Sequence, residues 1–184
     1  AAYAIEVRGL AKHYKGFTLG PLDLTVPSGS IVGLVGENGA GKTTTLKCIL
    51  NAVRPDAGSI RVLGGSCAER AVRARLGAVF EDAFFYESCT PAEVGRSLGR
   101  IQPGWDKAEY ARMLREFELP EKKLIKEMSR GMRMKFRLAA ALAHKPDLLI
   151  LDEATSGLDP VVRDEILDLF LDFTRSEDHS ILVS

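Results

Sequence analysis

Short alternations of apolar and polar residues at positions 5–7 and 22–26 predict two half-buried strands, antiparallel and joined through the turn-prone Lys15-Gly16 region. Positions 31–35 are instead an unbroken apolar run, the pattern of a strand covered on both faces within a parallel sheet, and this run leads directly into a glycine-rich segment. A helix is predicted over 42–50, ended by a stretch containing Pro55 and Gly58. Strand character returns at 59–63 and again at 76–80. From Pro91 to about residue 143 the period becomes helical. Thr90-Pro91-Ala92-Glu93 reads as an N-cap and first turn, a second helix follows over 106–118, and a third over 131–143 stops before Pro146. Residues 148–151 supply a buried strand, Pro160 opens another helix, and 180–183 begin one more strand. A single domain follows, with residues 1–82 and 144–184 forming a core and its β subdomain, and residues 83–143 a helical insertion.

The chain's 184 residues suffice for one core with a modest insertion. Lys plus Arg equals Asp plus Glu at 25 each, so no overall basic field exists to hold nucleic acid, which is not an expected partner. The longest apolar stretches, such as Leu148-Leu149-Ile150-Leu151, fall far short of the ~20 residues a spanning helix needs. The first ten residues lack the pattern of a signal peptide, and Cys48, Cys67 and Cys89 are too far apart for a metal knuckle or redox pair. Both points are read as a cytoplasmic setting with free thiols.

Chemistry enters with Gly36-Glu37-Asn38-Gly39-Ala40-Gly41-Lys42-Thr43, a phosphate loop placed after a strand and before a helix. Its glycines permit backbone angles and close approaches that a side chain would block, so successive amides can converge on phosphate oxygens. The helix that follows adds its positive end. Lys42 would reach the terminal phosphates of a nucleoside triphosphate, most simply ATP with magnesium, and the Thr43 hydroxyl would be a ligand of that ion. Asp152-Glu153, at the carboxyl end of the 148–151 strand, stand where ligands of open α/β sheets gather. Asp152 would hold magnesium, directly or through water, and Glu153 would act on the attacking water. The fold class is therefore α/β: a P-loop NTPase core with a mostly parallel sheet, a small antiparallel β subdomain and a helical insertion.

These residues resemble the nucleotide-binding subunit of the ABC transporter superfamily, over nearly the whole chain. Met128-Ser129-Arg130-Gly131-Met132 is similar to the family's Leu-Ser-Gly-Gly-Gln signature and heads a helix just before the Asp-Glu strand. Ser156-Gly157-Leu158-Asp159 resembles its D-loop, and Tyr14 suits the aromatic that stacks on adenine. The resemblance implies a nucleotide site made of Tyr14, the loop from Gly36 to Thr43 with Thr44, and Ser129, Gly131 and Asp159. It also implies two such domains packed head to tail around ATP, each site being completed by the other's signature helix. Opening and closing would drive transmembrane permease subunits through the helical insertion, placing the chain at the inner face of the cell membrane through those partners. A soluble ABC-type switch, dimerising on ATP without transport, is the alternative.

The chain departs from the family pattern in three places. Arg130, Met132 and Met128 replace the signature's first Gly, Gln and Leu, a form similar to exporters associated with antibiotic resistance and ABC-2-type permeases. Glu81 stands where the family carries a magnesium-side Gln, and a carboxylate there could ligate the ion or repel the terminal phosphate. The strand at 181–183 resembles one that leads to a switch His, but the sequence stops at Ser184, and His179 precedes the strand. The resemblance implies a truncated chain that binds ATP and hydrolyses it slowly. Phe84, Phe85 and Tyr86 sit where the family meets its permease, and packing accounts for them equally well.

Overall fold

The two N-terminal strands run much longer than the alternation predicts: β1 (Tyr3–Tyr14) and β2 (Phe17–Pro27) pair antiparallel in the computed structural model, which describes residues 2–37, 39, 41–80 and 86–184. Register shifts between Val7 and Leu10, and again between Leu10 and Lys12, interrupt the period-two pattern, so residues beyond Val7 stop looking like strand. The other edge of β1 takes β4 (Ala57–Val62), giving an antiparallel sheet of order β2-β1-β4.

The second sheet is parallel. It consists of β3 (Ile31–Gly33), β5 (Leu76–Val79), β6 (Leu148–Leu151) and β7 (Ser180–Val183) in the order β3-β7-β6-β5. Every residue of β6 is buried, as a strand clothed on both faces requires. Its Leu148 and Ile150 face a cluster shared with Ile5, Leu10 and Val62 of the antiparallel sheet and Leu46 and Ile49 of α1 (Lys42–Ile49). Leu149 and Leu151 face the opposite cluster, formed with Leu138 and with Ile166 and Phe170 of α6 (Pro160–Phe173).

The expectation of double cover fails for β3. Among the described residues this strand pairs only with β7, and Ile31 is 40% exposed and Val35 99% exposed. An apolar run reports hydrophobicity, not how many neighbours the strand has. A four-residue helix, α2 (Arg70–Arg73), and a 3₁₀ turn at Ile125–Glu127 are additions that the sequence periodicity does not show, each being shorter than the two turns a helical period needs.

Three further helices, α3 (Pro91–Ile101), α4 (Lys107–Glu116) and α5 (Arg130–Leu142), enclose a cluster of their own that includes Val94, Tyr110, Met113, Leu114 and Phe136. α3 begins with the predicted capping box: the Thr90 N–H donates to the Glu93 carboxylate at 2.8 Å, and Glu93 N–H donates back to Thr90 Oγ1. Tyr86 meets Phe136 edge-on with ring centres 6.1 Å apart, so Tyr86 is a packing residue of this unit. Phe84 and Phe85 lie outside the described residues.

His144 follows α5 and is buried, its Nε2 donating to the Leu76 carbonyl at 2.8 Å while Nδ1 has no partner. Burial holds its pKa below the ordinary value of 6.5. The unfolded chain therefore takes up a proton that the folded chain refuses, and this part of the stability, complete above about pH 6.5, is lost as pH falls toward the depressed folded value. Urea unfolding measured across pH 5–7 should show stability falling on the acid side, with a shallower slope in His144→Gln; equal slopes would contradict this.

Candidate functional site

Three strands of the parallel sheet end level with one another. Gly33 of β3 is in register with Val183 of β7, and Val183 with Leu151 of β6. The next residues, Leu34, Ser184 and Asp152, therefore emerge together at the carboxyl edge, the position at which open α/β sheets gather ligands. From β3 the chain passes through Gly36 and exposed Glu37 to Gly39 and Gly41, whose φ angles of 83° and 90° are left-handed. At Gly41 a Cβ would also lie 2.6 Å from Leu19 Cδ1 and 3.1 Å from Phe17 Cζ. The left-handed angle favours glycine there, the atoms a Cβ would meet being side-chain tips that can shift. Asn38 and Ala40, predicted members of the same loop, lie outside the described residues.

α1 starts at Lys42 with no side chain capping its N-terminus. Its first-turn amides and positive end are thus left for a ligand. They border a pocket of about 420 Å³ lined by Phe17, Gly39, Gly41, Lys42, Thr43, Thr44 and Glu153. The Lys42 ammonium donates to the Gly36 carbonyl at 2.7 Å, folded back across the loop. Thr43 Oγ1 reaches across the sheet edge and donates to Asp152, 2.9 Å from Oδ2. Ser184 Oγ donates to the other oxygen, Oδ1, at 2.7 Å. Thr43 Oγ1 also lies 3.2 Å from Oδ1, so a carboxylate only 7% exposed is held by two hydroxyls, which meets the cost of burying it.

Glu153, the next residue, has φ 57°, unusual for a side-chain-bearing residue and costing about 1–2 kcal/mol. Its N–H donates to Ser184 Oγ at 3.3 Å, which helps to hold the turn. The turn brings Glu153 to the pocket wall while Asp152 stays at the strand end.

Among the described residues no group of three or more His, Cys, Asp or Glu side chains converges as a metal cage. Magnesium needs no such cage, being held by one or two protein oxygens together with phosphates and water. Thr43 Oγ1 beside the Asp152 carboxylate is a hard-oxygen pair of that kind, and the residues present fit the ion. Glu81, also predicted as a ligand, lies outside the described residues.

The other predicted residues do not line this pocket. Ser129 caps α5, its Oγ accepting from the Met132 N–H at 3.1 Å. Gly131 lies against Val162, where a Cβ would come within 3.1 Å. Asp159 caps α6, accepting from the N–H groups of Val161 and Val162. Gly157 lies directly beneath the Arg130 guanidinium, where a Cβ would collide with it, so the segments around Ser129 and Asp159 pack on each other. Tyr14 stands at the end of the β1-β2 hairpin, 45% exposed, with the Lys12 ammonium 5.6 Å from its ring centre. The aromatic on the pocket wall is its cross-strand neighbour Phe17. Phe17 and Ser184 are the site residues that sequence reasoning misses. Only the pairing of strands reveals them, since neither belongs to a spaced motif.

A glycine loop between a parallel strand and a helix, bonded through its Thr to a strand-terminal acid, defines the class: an α/β phosphate-loop fold. The sequence model of the family described as ABC transporter matches residues 19–156, and the chain belongs to that family. It is 34% identical over 187 residues to the bacitracin transport ATP-binding protein BcrA of Enterococcus faecalis, covering 99% of this chain and 61% of that protein. It is 38% identical over 174 residues to the daunorubicin/doxorubicin resistance ATP-binding protein DrrA of Streptomyces peucetius, covering 90% of this chain and 53% of that one. A solved structure of an ATP-binding subunit of an ABC transporter superposes with a TM-score of 0.84 at 30% identity, over 98% of this chain and 79% of its own. The chain thus spans little more than half the length of the two curated relatives.

Because the left-handed angle at Gly41 strains any residue with a Cβ, Gly41→Ala should lower the unfolding free energy by about 1–2 kcal/mol, read by urea denaturation. An unchanged midpoint would show that the loop does not depend on that angle.

Proposed function

We propose that this chain binds ATP with magnesium and hydrolyses it, as the nucleotide-binding part of an exporter. The observation that carries this reading is the Thr43–Asp152 hydrogen bond, which sets the glycine loop, Lys42 and the acid pair around one pocket. In this reading the amides of the loop and of the first turn of α1 hold the β- and γ-phosphates. Lys42 leaves the Gly36 carbonyl for the phosphate oxygens. Thr43 and Asp152 would hold magnesium, which would supply charge neutralisation of the phosphates when bound. Glu153 orients the attacking water and accepts its proton as the bond between the γ-phosphorus and the ADP oxygen breaks.

Tyr14, at the hairpin end beside Phe17, is the ring proposed against the adenine. Ser129, Gly131 and Asp159 are proposed to face the nucleotide of a second nucleotide-binding domain. With its N-terminus at Ser129, α5 offers that nucleotide amides and a positive end. Transmembrane permease subunits are the proposed partners, holding the chain at the inner face of the membrane; among the described residues no helix is long and apolar enough to cross one. The word resistance in the name of the daunorubicin/doxorubicin relative is the support for export.

Equilibrium binding of a fluorescent ATP analogue with magnesium tests the reading. Lys42→Ala should weaken binding by at least about tenfold, since charged hydrogen bonds to phosphate are lost. Glu153→Gln should bind as the parent does and release phosphate about 10²-fold or more slowly. Binding indifferent to Lys42→Ala would remove this function.

A further inference from the structure

We infer that Ser184 is a positioning residue for the acid pair, a role that no predicted motif assigned to it and that rests on the site reading above. Its place follows from topology. β7 lies between β3 and β6, so the residue leaving β7 stands between the strand that feeds the phosphate loop and the strand that ends in Asp152. The backbone ladder carries on to this residue, with Ser184 N–H donating to the Leu151 carbonyl at 2.9 Å, which fixes its Cα beside the Asp-Glu turn.

One hydroxyl then serves both acids. It donates its proton to Asp152 Oδ1 at 2.7 Å and accepts the Glu153 N–H at 3.3 Å. The first bond helps to fix how the Asp152 carboxylate is turned. Thr43 Oγ1, the other hard-oxygen donor of the proposed magnesium site, lies 2.9 Å from Oδ2 and 3.2 Å from Oδ1, and the Ser184 bond to Oδ1 favours the shorter contact with Oδ2. The second bond supports the left-handed backbone of Glu153, by which that side chain reaches the pocket wall. An alanine at 184 leaves the carboxylate short of one donor and held by Thr43 alone among the described hydroxyls, and leaves the Glu153 amide without that acceptor. A threonine keeps the hydroxyl. Ser184 touches neither phosphate nor water in this account; it acts through Asp152 and Glu153.

The test separates metal from nucleotide. Manganese(II), as a paramagnetic substitute for magnesium, is titrated into the chain holding a non-hydrolysable ATP analogue and followed by electron paramagnetic resonance, with analogue binding in EDTA measured in parallel. Ser184→Ala should raise the manganese dissociation constant roughly tenfold, the worth of one hydrogen bond to a charged group. Analogue binding in EDTA should stay within about twofold of the parent, because without metal the triphosphate is held by the loop amides and Lys42, none of which Ser184 touches. Ser184→Thr should restore manganese affinity. A Ser184→Ala chain that binds manganese like the parent, or a Ser184→Thr chain as weak as Ser184→Ala, overturns the role while leaving the site reading in place. An unaltered chain that binds no analogue overturns both.

Discussion

The hydrogen bond from Thr43 to Asp152 joins two parts of the chain that lie far apart in sequence. Thr43 belongs to the first turn of α1, and Asp152 to the end of β6, with all of the helical unit lying between them in sequence. Parallel pairing brings β3, β7 and β6 to a common edge, and the hydroxyl closes the remaining gap. Without it the glycine loop is an uncapped helix start, and the acid pair is a buried carboxylate followed by a strained turn. With it they form one pocket. The apolar cover on β6, with Leu148 and Ile150 on one face and Leu149 and Leu151 on the other, is what keeps that edge from shifting.

A second arrangement stands apart from the pocket. α3, α4 and α5 pack around Phe136 and Tyr110, and α5 carries Ser129 at its head, while Arg130 lies over Gly157 and Gly131 against Val162. The head of α5 and the approach to α6 therefore form one surface rather than two loose loops. In the proposed assembly that surface meets another chain's phosphates.

The phosphate loop is legible in the sequence because its geometry is local: left-handed angles at Gly39 and Gly41, then Lys-Thr at the helix start, are written into consecutive residues. The acid pair is legible because a short apolar run ending in two carboxylates reads as a buried strand reaching the sheet edge once a phosphate loop is present in the same chain. Helix starts at Thr90 and Pro160 are read from their caps for the same reason. What depends on who lies beside whom is not written locally. The position of β7 between β3 and β6 makes Ser184 a neighbour of Asp152, and the contact of Phe17 with Gly41 comes from folding the hairpin over the loop. Bulges in β1 hide most of that strand from a period-two reading, and the exposure of Ile31 and Val35 shows that an apolar run need not be covered on both faces.

The central claim is that the glycine loop and Asp152 are the two sides of one site for a metal-bound triphosphate. A crystal structure of the chain with a non-hydrolysable ATP analogue and manganese, the ion located by its anomalous scattering, tests this directly. The account predicts an anomalous peak about 2 Å from Thr43 Oγ1, within direct or single-water reach of Asp152, with the triphosphate seated on the amides of residues 39–44. A peak remote from both side chains, or a triphosphate bound away from the loop, would contradict it.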